Sequence, residues 1–195
     1  MSSAGLVLAA GSSRRMGRPK QLLAYHGRPL LEHVVREAGE SSLDEVVVVL
    51  GGSAEEIRAG IDFGRARIVV NPDHAEGMAS SIRRGLAAVG PGVDRVMVIL
   101  GDQPAVSATL FDRLLALQSS SGLPSAALRF GELLHPPVVL DRSLFSDLGA
   151  LEGDVGCRAV IRGRPELVAA LPAEGGGDHP LDVDTPEDYE RLTSI

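Results

Sequence analysis

Short, unbroken apolar runs alternate along the chain with stretches whose apolar residues recur every three to four positions. Leu6–Ala10, Val46–Leu50, Arg67–Val70, Arg95–Leu100 and Leu167–Leu171 are runs of strand length. Because these runs are continuously apolar, they predict strands covered on both faces, as in a parallel sheet. Between them, Leu30, Leu31, Val34, Val35 and Ala38 predict one buried helix face, with Glu32, His33, Arg36 and Glu37 opposite and Pro29 at the first helical position. Ser53 with Glu56 reads as a capping box opening a short helix. Ile82, Leu86 and Val89 mark a helix beginning near Met78. Ser107 is the expected cap of another, whose core residues are Leu110, Phe111, Leu114, Leu115 and Leu117. Ser125–Phe130 and His135–Leu140, joined by a Gly131-Glu132 turn, predict an antiparallel excursion.

Short helices around Ser143–Leu148 and Gly156–Gly163 follow, and Thr185, Pro186 and Asp188 form a capping box for a last helix. Pro172–Pro180, with Gly175, Gly176 and Gly177 in a row, reads as a mobile loop. The expected fold is α/β: a Rossmann-like, mostly parallel sheet with helices on both faces and a small antiparallel excursion. No internal repeat or linker interrupts it, so residues 1–195 are expected to form one domain.

Composition narrows the function classes. A net charge of −7, 3% aromatic residues and no tryptophan argue against nucleic-acid binding. No apolar run is long enough to span a membrane, and no signal peptide is recognisable at the N-terminus. Cys157 is the only cysteine, which excludes an internal disulfide. A cytoplasmic location is expected. A polyanionic ligand must therefore be held by a local cluster of cations, which suits a small nucleotide.

The cations gather just after the first strand. Gly11, Ser12 and Ser13 break the apolar run, and Arg14, Arg15, Arg18 and Lys20 follow. A Gly/Ser turn at a strand end exposes backbone N–H groups, and the neighbouring charges favour phosphate. The loop is neither of two common phosphate loops. The dinucleotide fingerprint needs glycine where Ser13 stands, and in the P-loop pattern Gly17 comes one place late after Gly11. Two further polar clusters follow apolar runs: Gly101-Asp102-Gln103-Pro104 and Asp182-Val183-Asp184. Carboxylates at the carboxyl ends of buried strands are well placed for Mg²⁺, which makes Asp102 and Asp184 candidate ligands.

Leu8 to Lys20 resembles the signature loop L-A-A-G-x-S-x-R-M-G-x-P-K of the MobA-like nucleotidyltransferases. The likeness runs through most of the chain. Gly77-Met78-Ala79-Ser80-Ser81-Ile82-Arg83-Arg84-Gly85-Leu86, Leu100-Gly101-Asp102-Gln103-Pro104, His135-Pro136, Gly153-Asp154-Val155-Gly156-Cys157-Arg158 and Asp182-Val183-Asp184-Thr185-Pro186-Glu187-Asp188 are similar to segments of molybdenum cofactor cytidylyltransferases. The resemblance implies a fold of the nucleotide-diphospho-sugar transferase type. It also implies transfer of CMP from CTP to the terminal phosphate of molybdopterin, releasing pyrophosphate with Mg²⁺.

By the same resemblance, Leu8, Ala9, Ala10, Gly11 and Ser12 cradle the nucleotide, and Arg15 and Lys20 meet the triphosphate. Gly77, Met78, Ser80 and Ser81 face base and ribose, with Asn71 and Gln103 assigned to the same nucleotide site. Asp102 and Asp184 hold the metal, and Arg15, Lys20 and Asp102 are the catalytic set. His135 and Asp154 help bind the acceptor. Guanylyl-transferring relatives carry L-A-G-G and C-D-x-P, so Ala9-Ala10-Gly11 and Gly101-Asp102-Gln103-Pro104 favour CTP over GTP. A molybdoenzyme that receives the cofactor is the implied protein partner.

The departures are Pro137 after Pro136, and Cys157 where alanine is common. Three other functions stay open at this point: transfer to a sugar or polyol phosphate, a cofactor carrier using the same pocket, and a nicotinamide-dependent oxidoreductase. Cys157 reads as a packed residue rather than a reactive thiolate. His26, His33 and His74 read as solvated, and Arg83 and Arg84 as phosphate contacts or an exposed face.

Overall fold

The computed structural model describes residues 1–13, 16–173 and 182–194. Its strands are β1 (Ser3–Ala9), β2 (Ala24–Tyr25), β3 (Arg28–Pro29), β4 (Glu45–Leu50), β5 (Arg67–Val70), β6 (Arg95–Leu100), β7 (Ser125–Phe130), β8 (Leu133–Asp141) and β9 (Val168–Pro172). The helices are α1 (Leu30–Glu40), α2 (Ala54–Gly60), α3 (Met78–Leu86), α4 (Ala108–Ser121), α5 (Phe145–Gly149), α6 (Arg158–Ile161) and α7 (Pro186–Thr193). Seven strands form one sheet in the order β5-β4-β1-β6-β8-β7-β9, and β2 pairs with β3 in a small separate hairpin. Only β8 runs against its neighbours, pairing antiparallel with β6 and β7, while β7 and β9 are parallel. The mostly parallel sheet and its antiparallel excursion match the expected fold.

The central strands are apolar on both faces because both faces are covered. All seven residues of β1 are buried. Val7, Ala9, Val48, Leu50, Met97 and Ile99 point into a core beneath α1, α2 and α4. Leu6, Leu8, Val47, Val49, Val96 and Val98 point into the opposite core, with Ile82 of α3 and Val160 of α6. The register aligns the strand ends: Leu8 lies opposite both Val49 of β4 and Leu100 of β6. The residues that follow β1, β4 and β6 therefore emerge on one rim of the sheet.

Several local expectations shift. Pro29 belongs to β3 and stands at the N-cap of α1, one place before the helix. The Ser53 side chain makes no cap bond to α2, so the capping box is absent there. His33 is buried, its Nε2 within 2.5 Å of the Tyr25 carbonyl oxygen, because the β2–β3 hairpin folds over the polar side of α1. α3 ends at Leu86, and Val89 packs from beyond it. The Ser107 cap is present, its Oγ accepting from Leu110 N–H at 3.2 Å. So is the Thr185/Asp188 capping box of α7. Residues 174–180 of the glycine-rich loop lie outside the described residues.

Candidate active site

A cleft of about 670 Å³ opens at the rim where β1 and β6 end. Its floor is the first loop. The Gln21 side chain is buried beneath that loop, and Nε2 donates to the carbonyls of Ala9 (2.9 Å) and Gly11 (3.2 Å). Ser13 Oγ donates to Gln21 Oε1 at 3.3 Å and accepts from Lys20 N–H at 3.0 Å. One amide thus ties the strand end to the far side of the turn. Gly101 lets β6 leave the sheet beside β1: a Cβ there would sit 3.0 Å from the Leu8 carbonyl oxygen.

The rim brings most of the expected residues together. Leu8, Ala9, Ala10, Gly11 and Ser12 line one wall, and Gly77, Met78 and Ser81 line the facing wall. Asn71, Ser80 and Gln103 sit behind those walls, buried. Asn71 Nδ2 donates to Ser80 Oγ (2.8 Å) and Ser81 Oγ (3.0 Å), fixing the first turn of α3. Gln103 Nε2 donates to Asp182 Oδ1 at 2.7 Å, joining the end of β6 to the segment before α7. Arg15 lies outside the described residues.

Charge concentrates at the centre. Lys20 Nζ lies 2.5 Å from Asp102 Oδ2 and 2.8 Å from Asp184 Oδ1. Val183 is fully buried against Leu23 and Leu30, which holds Asp184 beside the loop. Burial works to lower the Lys20 pKa, but the Asp102 and Asp184 carboxylates outweigh it and the net shift is upward, so Lys20 is firmly charged. The Asp182 carboxyl is raised, first by loss of hydration and then by the Asp102 charge beside it. Asp102 Oδ1 is buried with no hydrogen-bond partner among the described residues. Two carboxylates gathered at one point, one with an orphaned oxygen, fit a hard divalent cation. No group of three or more metal-ligating side chains occurs among the described residues, so an ion there would take its remaining ligands from substrate or water.

The α3 wall is pinned from a distant part of the chain. Gly77 adopts φ +108°, and a Cβ there would meet the Gly153 carbonyl at 2.5 Å. Ala79 N–H donates to Gly153 O at 3.1 Å, and Met78 N–H donates to Asp154 Oδ1 at 3.3 Å. Asp154 thus accepts from the first turn of α3, directly beside Gly77.

Gln21 and His74 were not visible as site residues in the sequence. Gln21 lies in an amphipathic stretch with no motif of its own. His74, expected on solvated surface, is half-buried and lines the cleft, its ring packed over Gly51 and Gly52. The paired glycines after β4 are the signal for that close approach. Cys157 is packed in the core, and burial pushes its thiol up to about 12. Arg83 is held by the Leu151 carbonyl and Arg84 by the Val70 carbonyl.

The MobA-like NTP transferase domain profile matches residues 5–172. The nicotine blue oxidoreductase of Paenarthrobacter nicotinovorans is 37% identical over 96% of this chain and 95% of its own length. The purine catabolism protein PucB of Bacillus subtilis is 32% identical over 96% and 94%. Among solved structures, Rv0371c of Mycobacterium tuberculosis superposes with a TM-score of 0.89 at 33% identity, covering 100% of both chains. A complex of Rv0371c with manganese gives 0.85 at 31% identity, covering 100% of this chain and 99% of that one.

Proposed function

The chain belongs to the MobA-like NTP transferase family and is a nucleotidyltransferase, and from that premise we propose that it moves CMP from CTP onto the terminal phosphate of a molybdopterin-type cofactor. A phosphate oxygen of the acceptor forms a bond to the α-phosphorus of CTP, the α–β bridging P–O bond breaks, and pyrophosphate leaves. No redox partner is needed. Such a reaction depends on positioning and charge neutralisation more than on a protein nucleophile.

The observation that carries this reading is the Lys20–Asp102–Asp184 cluster, set beside the backbone loop that follows β1. In this reading the loop Leu8–Ser12 takes the nucleotide through its backbone, and Gly77, Met78 and Ser81 face it from the opposite wall. Lys20 and Arg15 meet the phosphates. When bound, Mg²⁺ on Asp102 and Asp184 neutralises phosphate charge that grows during transfer. Asn71, Ser80 and Gln103 support these groups from behind. Asp154 and His135 stand on the acceptor side, residues 1–195 act as one cytoplasmic unit, and the product passes to a molybdoenzyme. The preference for CTP over GTP rests on Ala9-Ala10-Gly11 and Gly101-Asp102-Gln103-Pro104.

One relative is named an oxidoreductase, which favours an oxidoreductase as the second reading; the nicotinamide cofactor tested for it is the one the sequence leaves open. A thermal-shift panel separates the two. CTP, GTP, ATP and UTP, each with Mg²⁺, are compared with NADPH. At about a hundredfold above the dissociation constant the preferred ligand adds roughly 2.7 kcal/mol. The largest shift is expected with CTP. Stabilisation by GTP but not CTP refutes the cytidylyl assignment, and stabilisation by NADPH alone favours the second reading.

A further inference from the structure

Five carboxylates line the cleft (Glu76, Asp102, Asp154, Asp182 and Asp184), and among the described lining residues Lys20 is the cation that faces them. Its ammonium touches Asp102 and Asp184 at once; the Asp102 contact is largely sheltered, with side chains 12% and 20% exposed, whereas Asp184 is 51% exposed and solvent screens that contact more. We propose that Lys20 is the resident counter-ion of this carboxylate pair and competes with the divalent cation for the same two residues. The inference rests on the metal assignment made under the proposed function.

The reasoning is electrostatic. One ammonium against two carboxylates leaves a residual negative charge, which keeps the pair attractive to a second cation. The same ammonium repels that cation, and Oδ2 of Asp102 and Oδ1 of Asp184 are already occupied by its N–H donors. A metal arriving alone must share the carboxylates with Lys20 or push the ammonium out into the cleft. Both cost affinity. A nucleotide changes the balance, because its phosphates offer the ammonium another anion. Lysine suits such an exchange: its point charge sits on a flexible four-carbon stem, whereas an arginine fork locks onto a carboxylate. Metal and nucleotide therefore bind better together than apart, and Lys20 carries part of that coupling.

The test is Mn²⁺ binding without nucleotide, read from the electron paramagnetic resonance signal of the free ion. Wild type, Lys20→Met, Lys20→Arg and Asp102→Asn are compared, with melting curves in Mn²⁺ alone as a second readout that also confirms folding. Lys20→Met is expected to bind Mn²⁺ at least tenfold more tightly than wild type and to show the larger Mn²⁺-dependent rise in melting temperature. Lys20→Arg keeps the charge and should remain within about threefold of wild type. Equal or weaker binding by Lys20→Met overturns the competition and leaves the lysine as a simple organiser of the carboxylates. If Asp102→Asn binds Mn²⁺ as well as wild type does, the metal assignment falls and this inference falls with it.

Discussion

Replacing Gln21 by methionine isolates what the loop owes to one amide. The substitution keeps side-chain length and apolar volume but removes the donors to the Ala9 and Gly11 carbonyls and the acceptor for Ser13 Oγ. The bond to Ala9 is buried, so that carbonyl loses a donor water cannot replace, which costs about 1–3 kcal/mol. The Gly11 carbonyl and Ser13 hydroxyl lie nearer the cleft and regain water, adding little. A net loss of about 2 kcal/mol lowers the melting temperature of a chain this size by about 4–8 °C. The loop must then be ordered by the ligand. If half or more of that energy is charged to binding, nucleotide affinity falls about 5- to 30-fold. Scanning calorimetry gives the first quantity, and titration with CTP and Mg²⁺ gives the second. Turnover at saturating nucleotide should change less than affinity, since Gln21 lines the cleft but spends its amide hydrogen bonds on the loop. A variant that melts and binds like wild type refutes the idea that this amide holds the loop in place.

Three further outcomes follow from the geometry. Gly77→Ala places a Cβ at φ +108° against the Gly153 carbonyl, so stability should fall by about 2 kcal/mol or more in urea unfolding; a neutral result means that Gly77 and Gly153 are not in close contact. Asp102→Asn and Asp184→Asn should each remove most transfer activity in a radiolabelled-CTP assay, and the double variant should lose little more than either single one; full additivity separates their roles. Cys157 has a folded pKa of about 12, above its unfolded value, so its thiol stays protonated in the fold and ionises first in the unfolded chain. Stability should therefore decline as pH rises above about 9, by at most about 1.4 kcal/mol per pH unit, and Cys157→Ala should remove that part of the slope in denaturant titrations.

What could be read from the sequence divides along physical lines. Arg95–Leu100 is bounded correctly because a strand buried on both faces is written as an apolar run; Arg67–Val70 is bounded correctly too, but it is the half-exposed edge strand β5 and not covered on both faces as expected. The Thr185 cap was legible because its bonds are local. Ser53 was misread since a capping box is permitted, not required, by its residues. His33 was misplaced because helical periodicity reports one helix and is blind to the hairpin that covers it. In the site, Asp102 is legible as a carboxylate at the end of an apolar strand; Asp184 follows no strand among the described residues, and Lys20, expected on the triphosphate, lies between the two carboxylates instead. That contact is a matter of three elements converging, and no spacing in the sequence encodes it. Gln21 was hidden for the related reason that its partners are backbone carbonyls, which carry no side-chain signature.

The Lys20–Asp184 contact joins residues 164 positions apart. During synthesis the N-terminal strands can pair and bury their apolar faces long before the segment around Val183 leaves the ribosome, since folding proceeds as the chain emerges. Until then Leu23 and Leu30 lack their Val183 cover, and Lys20 has only Asp102. A nascent or prematurely stopped chain could thus hold most of its sheet while the Lys20–Asp102–Asp184 cluster is incomplete. The charged cluster would be completed last, so this contact ties its assembly to synthesis of the chain through residue 184.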